Sequence, residues 1–176
     1  MFQKNYTPDI KLIIKALAFS AHKHRNQRRK DAEASPYINH PIDVVHVLVN
    51  EADIFDTHLI CAALLHDTLE DTQTTEDEIR ETFGDEICAI VLELTDDKAL
   101  PKLERKHLQI VNASKASYPA KLVKIADKIC NLRDIHRTPP VDWSHERRQQ
   151  YLEWAYSVID RLRGTHQQLE RLFDTV

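Results

Sequence analysis

A chain of 176 residues is long enough to bury a core and short enough to be one domain of ordinary size. Its formal charge of −4 argues against a surface that binds nucleic acid or anionic membrane in bulk. Two glycines against 42% hydrophobic residues argue against an all-β fold, which needs many turn glycines. No apolar run of about 18 residues and no charged-then-apolar leader is present, so neither a membrane span nor a signal peptide is expected. Cys61, Cys88 and Cys130, odd in number and set in apolar stretches, read as buried free thiols of a reducing compartment, the cytoplasm.

Nearly every segment carries the helical period. Ile10, Ile13, Ile14, Leu17, Ala18 and Ala21 form one apolar stripe, with Thr7-Pro8 as cap and first turn. A second, shorter helix is expected after Pro41 through Ile42, Val45, Leu48 and Val49. Asp56 caps a third, with Leu59, Ile60, Ala63 and Leu64 inside it and His66-Asp67 at its C-terminal end. Thr75-Glu76-Asp77-Glu78 is a capping box opening a fourth, which Gly84 closes. Ile87, Ile90, Val91 and Leu94 mark a fifth. Pro101 to about Lys115 reads as a sixth with a strongly charged face. Leu122, Ile125, Ala126, Ile129 and Leu132 mark a seventh, on which Asp127 and Asn131 lie four apart on one side. Pro139-Pro140 breaks the chain before a last helical region from Ser144, interrupted at Gly164. With no repeat or linker, the expectation is one all-α domain over residues 1–176.

His40, the pair His66-Asp67, and Asp127 are the residues that carry chemistry. A His-Asp dipeptide arises by chance, and any one of these residues reads equally as a capping residue or a core histidine. Together, two imidazoles and two carboxylates make a mixed nitrogen and oxygen site suited to Mn²⁺, Fe²⁺, Zn²⁺ or Co²⁺. A metal preferring six ligands would keep positions for water, whose pKa it lowers towards about 7, and for a phosphoryl oxygen. Glu70, three residues from Asp67 and four from His66, can face the same cavity, with Asp71 beside it. Acids at a helix's C-terminal end oppose its dipole, which favours a catalytic use over a solvated face.

Lys23 to Lys30 carries five cations in eight residues and ends ten residues before His40. Such a run is usually a solvated face, but an anionic substrate of an acidic protein needs a local positive wall, and Arg suits phosphate and base contacts. Asn131 can reach a ligand from the face of Asp127. Arg147, Tyr151 and Trp154 recur on one side of the last helical region, where aromatic residues are more often core. No Ser-His-Asp order, Gly-rich phosphate loop or Cys-x-x-Cys pair competes.

At these residues the chain resembles the HD phosphohydrolase superfamily, and within it the small alarmone hydrolases related to the hydrolase half of RelA/SpoT proteins, including the animal SpoT-homologue type. The resemblance spans nearly the whole chain. It is carried by Arg28-Arg29-Lys30-Asp31, Pro36-Tyr37-Ile38-Asn39-His40-Pro41 and the run from Ala62 to Thr72. Thr95-Asp96-Asp97-Lys98, Leu103-Glu104-Arg105-Lys106, the run from Lys121 to Lys128 and Asn131-Leu132-Arg133-Asp134 extend it.

The resemblance implies an all-helical HD-domain bundle and Mn²⁺-dependent removal of the 3′-pyrophosphate from guanosine tetra- or pentaphosphate. One Mn²⁺ per chain would be held by His40, His66, Asp67 and Asp127, with Glu70 and Asp71 as the catalytic acidic pair. Arg29 and Lys30 match residues that hold base and phosphates, and Asn131, Arg147 and Tyr151 match nucleotide contacts. Cys130 departs from the aromatic residue that animal relatives often carry there. On length, no synthetase half is expected.

Two alternatives stay open: a broader nucleotide phosphohydrolase such as an NADPH 2′-phosphatase, and a non-catalytic nucleotide sensor, against which the intact Glu70-Asp71 pair argues. Nucleic-acid and membrane partners are not expected, since the basic run lacks interleaved aromatics. No pattern in the chain sets an oligomeric state.

Overall fold

Every residue from Thr57 to Leu65 except His58 is buried, so α3 (Thr57–Leu65) has almost no solvent face and the other helices pack around it. Asp56 starts it by accepting a hydrogen bond from the Leu59 amide at 2.8 Å, which satisfies one of the unpaired donors of a helix start. The structure, a computed structural model, describes residues 8–176, in which α3 is one of ten α-helical segments.

Before it come α1 (Ile10–Lys23) and α2 (Asn39–His46), the latter running on into a π-helical turn at Val47–Glu51. After it come α4 (Thr68–Asp71), α5 (Glu76–Phe83), α6 (Asp85–Leu94), α7 (Lys102–Ala113), α8 (Tyr118–Arg137), α9 (His145–Asp160) and α10 (Gln167–Asp174). Among the described residues the one extended pairing is an isolated antiparallel bridge between Arg28 and Pro36.

Several local expectations meet a different outcome. Asp9, not a residue before Pro8, caps α1 by accepting from the Leu12 amide at 3.1 Å; Thr7 lies outside the described residues. α2 begins at Asn39, three residues earlier than expected. Pro41 is tolerated inside its first turn, where amides have no intrahelical partner to lose. Thr75 does cap α5, and Gly84 closes it with φ of 88°, a left-handed conformation that suits glycine. Gly164, at φ of 85°, lies in the turn that separates α9 from α10.

Helix α3 feeds two apolar clusters. On one side Ile60, Leu64 and Leu65 meet Ala16 of α1, Ile79 and Phe83 of α5, and Ile87 and Val91 of α6. On the other, Leu59 and Ala63 meet Val44 and Leu48, then Leu122, Ile125 and Ile129 of α8, Ile159 of α9 and Phe173 of α10. Each such Leu or Ile contributes about 1.5–3 kcal/mol by leaving water. Because α2, α3 and α8 pack on one another, the C-terminal end of α3 emerges where α2 and α8 also arrive. Arg133 of α8 clamps Glu51 with two bonds of 2.6 and 2.8 Å, tying the π-helical turn to the same helix. Cys61, Cys88 and Cys130 are buried free thiols on α3, α6 and α8. Burial pushes Cys61 up to about 12 and raises the other two as well.

Candidate active site

Four helices deliver four ligand-type side chains to one point. His40 comes from the first turn of α2, His66 from the residue that ends α3, Asp67 from the residue that opens α4, and Asp127 from the middle of α8. His40 Nε2 lies 3.0 Å from Asp127 Oδ1 and 3.9 Å from Asp67 Oδ2. His66 Nε2 lies 3.1 Å from Asp67 Oδ2 and 3.9 Å from Asp127 Oδ1. One ligand atom each from His40, His66 and Asp67 fits within 4.8 Å.

The hydrogen bonds around the cluster decide what it can hold. His66 Nδ1 lies 2.7 Å from the Ala63 carbonyl oxygen, which can only accept, so Nδ1 carries the proton and Nε2 of the neutral ring is a bare lone pair. That Nε2 is buried and has no hydrogen-bond partner, although a carboxylate oxygen stands 3.1 Å away. A lone pair buried against an anion is repelled unless a cation joins them. Without a metal a proton plays that part: burial works against a charged imidazole, yet Asp67 and Asp127 outweigh it and push His66 up to about 9.

The carboxylates respond in kind. Burial opposes their ionisation, but His66 and His40 beside Asp67, and Lys128 and His40 beside Asp127, hold both well below the usual carboxylate range. A divalent cation that displaces the proton would meet two ring nitrogens and two ionised carboxylates, a donor set that fits it.

Outer contacts fix both carboxylates, whereas His40 Nδ1 is buried with no hydrogen-bond partner. The Tyr37 hydroxyl donates to Asp67 Oδ2 at 2.6 Å, and burial followed by the Asp67 charge keeps that phenol protonated. Asp127 Oδ1 accepts from Asn131 Nδ2 at 2.6 Å, and Oδ2 accepts from the buried Lys128 ammonium at 2.7 Å. Such partners orient ligands and set their basicity.

Glu70 and Asp71 do not continue α3. The chain kinks at His66-Asp67, and the two acids sit in the short α4, so they do not face the C-terminal end of α3 and the dipole argument for them falls away. Glu70 accepts from the Asp96 amide at 3.3 Å and from Arg105 at 3.3 Å. Burial, then the Asp96 charge, raises its pKa above the usual carboxylate value. Asp71 accepts from Gln27 at 2.9 Å and from Lys98 at 2.6 Å.

A cleft of about 960 Å³ opens over the cluster, with His40 at its floor and Arg29, Lys30, Asp71, Asn131 and Tyr151 along its sides. Arg29 is ion-paired to Asp134, and its guanidinium lies 5.6 Å from the Tyr37 ring centre. The Lys30 carbonyl accepts from the Val141 amide at 3.1 Å, which ties the 24–38 loop to the Pro139-Pro140 turn. Tyr151 stands between Trp143 and Trp154, with ring centres 5.5 and 5.2 Å away. Arg147 is set apart from these: it is exposed and packs on Trp143, 4.6 Å from the ring centre, at the rim.

Sequence reasoning assigned no role to Tyr37, Gln27, Lys102, Arg105 or Lys106. Burial, then Arg147, Lys30 and Arg105, pushes the Lys102 ammonium below its ordinary value. Burial, then Lys102, Lys128 and Arg147, does the same to Lys106. Like charges crowd together where an anion is to be received. The signal available was the i, i+3, i+4 spacing of Lys102, Arg105 and Lys106 on the charged face of α7.

Comparison with known proteins places this geometry. The HD domain family matches residues 16–155. The mouse guanosine-3′,5′-bis(diphosphate) 3′-pyrophosphohydrolase MESH1 is 56% identical over 158 residues, 90% of this chain and 88% of that protein. The Drosophila melanogaster protein of the same name is 49% identical over 164 residues, 93% of this chain and 92% of its own length. A solved structure described as a metazoan ortholog of SpoT that hydrolyzes ppGpp and plays a role in starvation responses superposes with a TM-score of 0.93. It is 48% identical and covers 97% of this chain and 96% of its own. The chain therefore belongs to the HD-domain family, alongside the animal MESH1 proteins.

Proposed function

We propose that this chain is a metal-dependent guanosine-3′,5′-bis(diphosphate) 3′-pyrophosphohydrolase, with residues 1 to 176 as one HD domain. It takes guanosine tetra- or pentaphosphate to GDP or GTP plus pyrophosphate. The observation that carries the reading is the buried Nε2 of His66, without a hydrogen-bond partner and set against Asp67 and Asp127 beside a cleft that His40, Arg29 and Lys30 line, in a chain 56% identical to an enzyme of that name.

His40, His66, Asp67 and Asp127 hold one Mn²⁺, a metal that their mixed nitrogen and oxygen set suits. When bound, the metal supplies Lewis-acid polarisation and an acidified water. The chain's own groups do the rest. Glu70, its pKa raised by burial, is matched to take a proton from the attacking water. The water oxygen bonds to the proximal phosphorus of the 3′-pyrophosphate, the bond from phosphorus to O3′ breaks, and O3′ leaves with the proton that Glu70 took from the water. Asp71 lines the same cleft and completes the acidic pair. Arg29 and Lys30 face the base and phosphates; Asn131, Arg147 and Tyr151 add nucleotide contacts. No helix of the described residues is long and apolar enough to cross a membrane. Three reduced, buried thiols favour the cytoplasm.

The test is turnover of guanosine tetraphosphate by chelator-stripped protein, with and without Mn²⁺ restored, with NADPH assayed in parallel. Release of GDP and pyrophosphate only with metal supports the reading, and the NADPH rate measures its specificity. Tight binding without product would make the chain a sensor, and neither binding nor turnover would overturn the substrate.

A further inference from the structure

Three histidines of this chain are buried, and the site described above uses two of them. The third, His24, ends α1 and is joined to the reaction centre by two separate routes. Its Nδ1 lies 2.6 Å from Gln27 Oε1, and Gln27 Nε2 lies 2.9 Å from Asp71 Oδ2. The polarity of this chain is forced. A carboxylate only accepts, so the Gln27 amide must turn its NH₂ to Asp71 and its oxygen to His24, and His24 must carry its proton on Nδ1. Its other nitrogen, Nε2, is buried with no hydrogen-bond partner. The second route is through the ring face. His24 lies 4.9 Å from Tyr37, Tyr37 lies 6.0 Å from His40, and His40 lies 5.4 Å from His66, centre to centre. Tyr37 is thus pinned between two imidazoles while its hydroxyl holds Asp67.

We propose that His24 is a positioning residue for the hydrolysis: through Gln27 it fixes the Asp71 carboxylate, and through its ring it fixes Tyr37 and so the Asp67 carboxylate. The proposal rests on the roles assigned above to Asp71 and Asp67. A buried polar imidazole costs free energy that an apolar side chain would avoid, and the two contacts it makes both end on groups of the site.

The two routes separate by substitution. His24→Asn keeps a donor for Gln27 and removes the ring; His24→Phe keeps a ring against Tyr37 and removes the donor. For His24→Phe, kcat is expected to fall about tenfold, with KM and Mn²⁺ affinity changing little. For His24→Asn, Mn²⁺ affinity is expected to weaken about tenfold, with kcat at saturating Mn²⁺ restored to near the parent value. Gln27→Leu, at a half-buried position, should reproduce the His24→Phe loss, and the double variant should lose no more than either single one. Crystal structures of Gln27→Leu and His24→Phe give a readout that does not depend on substrate: Asp71 should leave its present position. Asp71 unmoved in both variants overturns the proposal whether or not the parent hydrolyses guanosine tetraphosphate. So does an equal effect of His24→Asn and His24→Phe on every parameter, which is the mark of a purely structural histidine. Failure of the parent to turn over, with Asp71 displaced in the variants, would sink the substrate and leave the positioning role standing.

Discussion

Beneath the cleft, His40, His66, Asp67 and Asp127 project from four packed helices, and all but His40 have their outer atoms fixed by a neighbour. At the wall, Arg29 and Lys30 come from a loop, and beyond the lining stand Lys102 and Lys106 of α7 and Arg147 of α9. The floor is buried and pre-paired; the wall mixes charges of both signs, and beside it Lys102 and Lys106 lower one another's affinity for a proton. A site arranged this way commits its chemistry to the rigid part of the fold and leaves the grip on a polyphosphate to groups that can adjust. The floor should therefore govern rate and metal together, and the wall should govern affinity.

Removing a ligand tests that division most severely. Asp127→Ala should abolish metal binding and turnover together, with a loss beyond the ~10–100-fold typical of a ligand's hydrogen-bond partner. Calorimetric titration with Mn²⁺ alongside the rate assay checks it, and stoichiometric metal with retained turnover would break the assignment. Glu70→Gln should keep the metal and lose about 10²–10⁴-fold in kcat. A loss under tenfold would mean that the acid beside Asp96 has only a structural part.

The wall predicts smaller numbers of another kind. Lys102→Ala should raise KM by about 10–100-fold, as expected for a charge-assisted phosphate contact worth ~1.5–3 kcal/mol, with kcat much less affected. Arg147→Ala, exposed at the rim on Trp143, should raise KM only a few-fold, and that effect should fade with added salt. If Arg147→Ala instead lowered kcat, the rim would belong with the floor.

The pH profile carries the same split. Glu70 acts when ionised and its pKa is raised, so kcat should fall on the acid side at a pH above the ordinary 4.5 of a glutamate. Lys102 and Lys106 grip when charged and their pKa values are lowered, so KM should climb on the alkaline side at a pH below the ordinary 10.5.

Much of the floor could be read from the chain because its contacts follow from local pattern. A helix apolar all round, capped by Asp56 and ending in His66-Asp67, has to be central, and whatever sits at its end is brought to the middle of the molecule. Asp127 and Asn131, four apart, had to share a face. The kink after His66 was not legible, since residues 68–71 continue a helical composition and only the tertiary position of Asp67 breaks the run. The wall was harder still. A cationic stripe at helical spacing looks the same whether it meets solvent or stands beside a site, so the face of α7 read simply as charged. Tyr37, 30 positions from Asp67, and Gln27, 44 positions from Asp71, make their decisive hydrogen bonds across distances that no window of sequence contains. Tyr151 and Arg147, four residues apart on α9, looked alike in spacing, yet one lines the cleft and the other packs on a tryptophan at its edge.

The three cysteines turn the fold into its own gauge. Each sits on a different helix, Cys61 on central α3, Cys88 on α6 and Cys130 on α8, and each thiol is sealed from solvent. A thiol-specific label added to the native protein therefore reacts at each position only when that helix opens, and its rate reports the free energy of that opening. Loading the floor with Mn²⁺ binds α2, α3, α4 and α8 to one another, so it should slow labelling of Cys61 and Cys130 while leaving Cys88, whose helix supplies no ligand, closer to its unloaded rate.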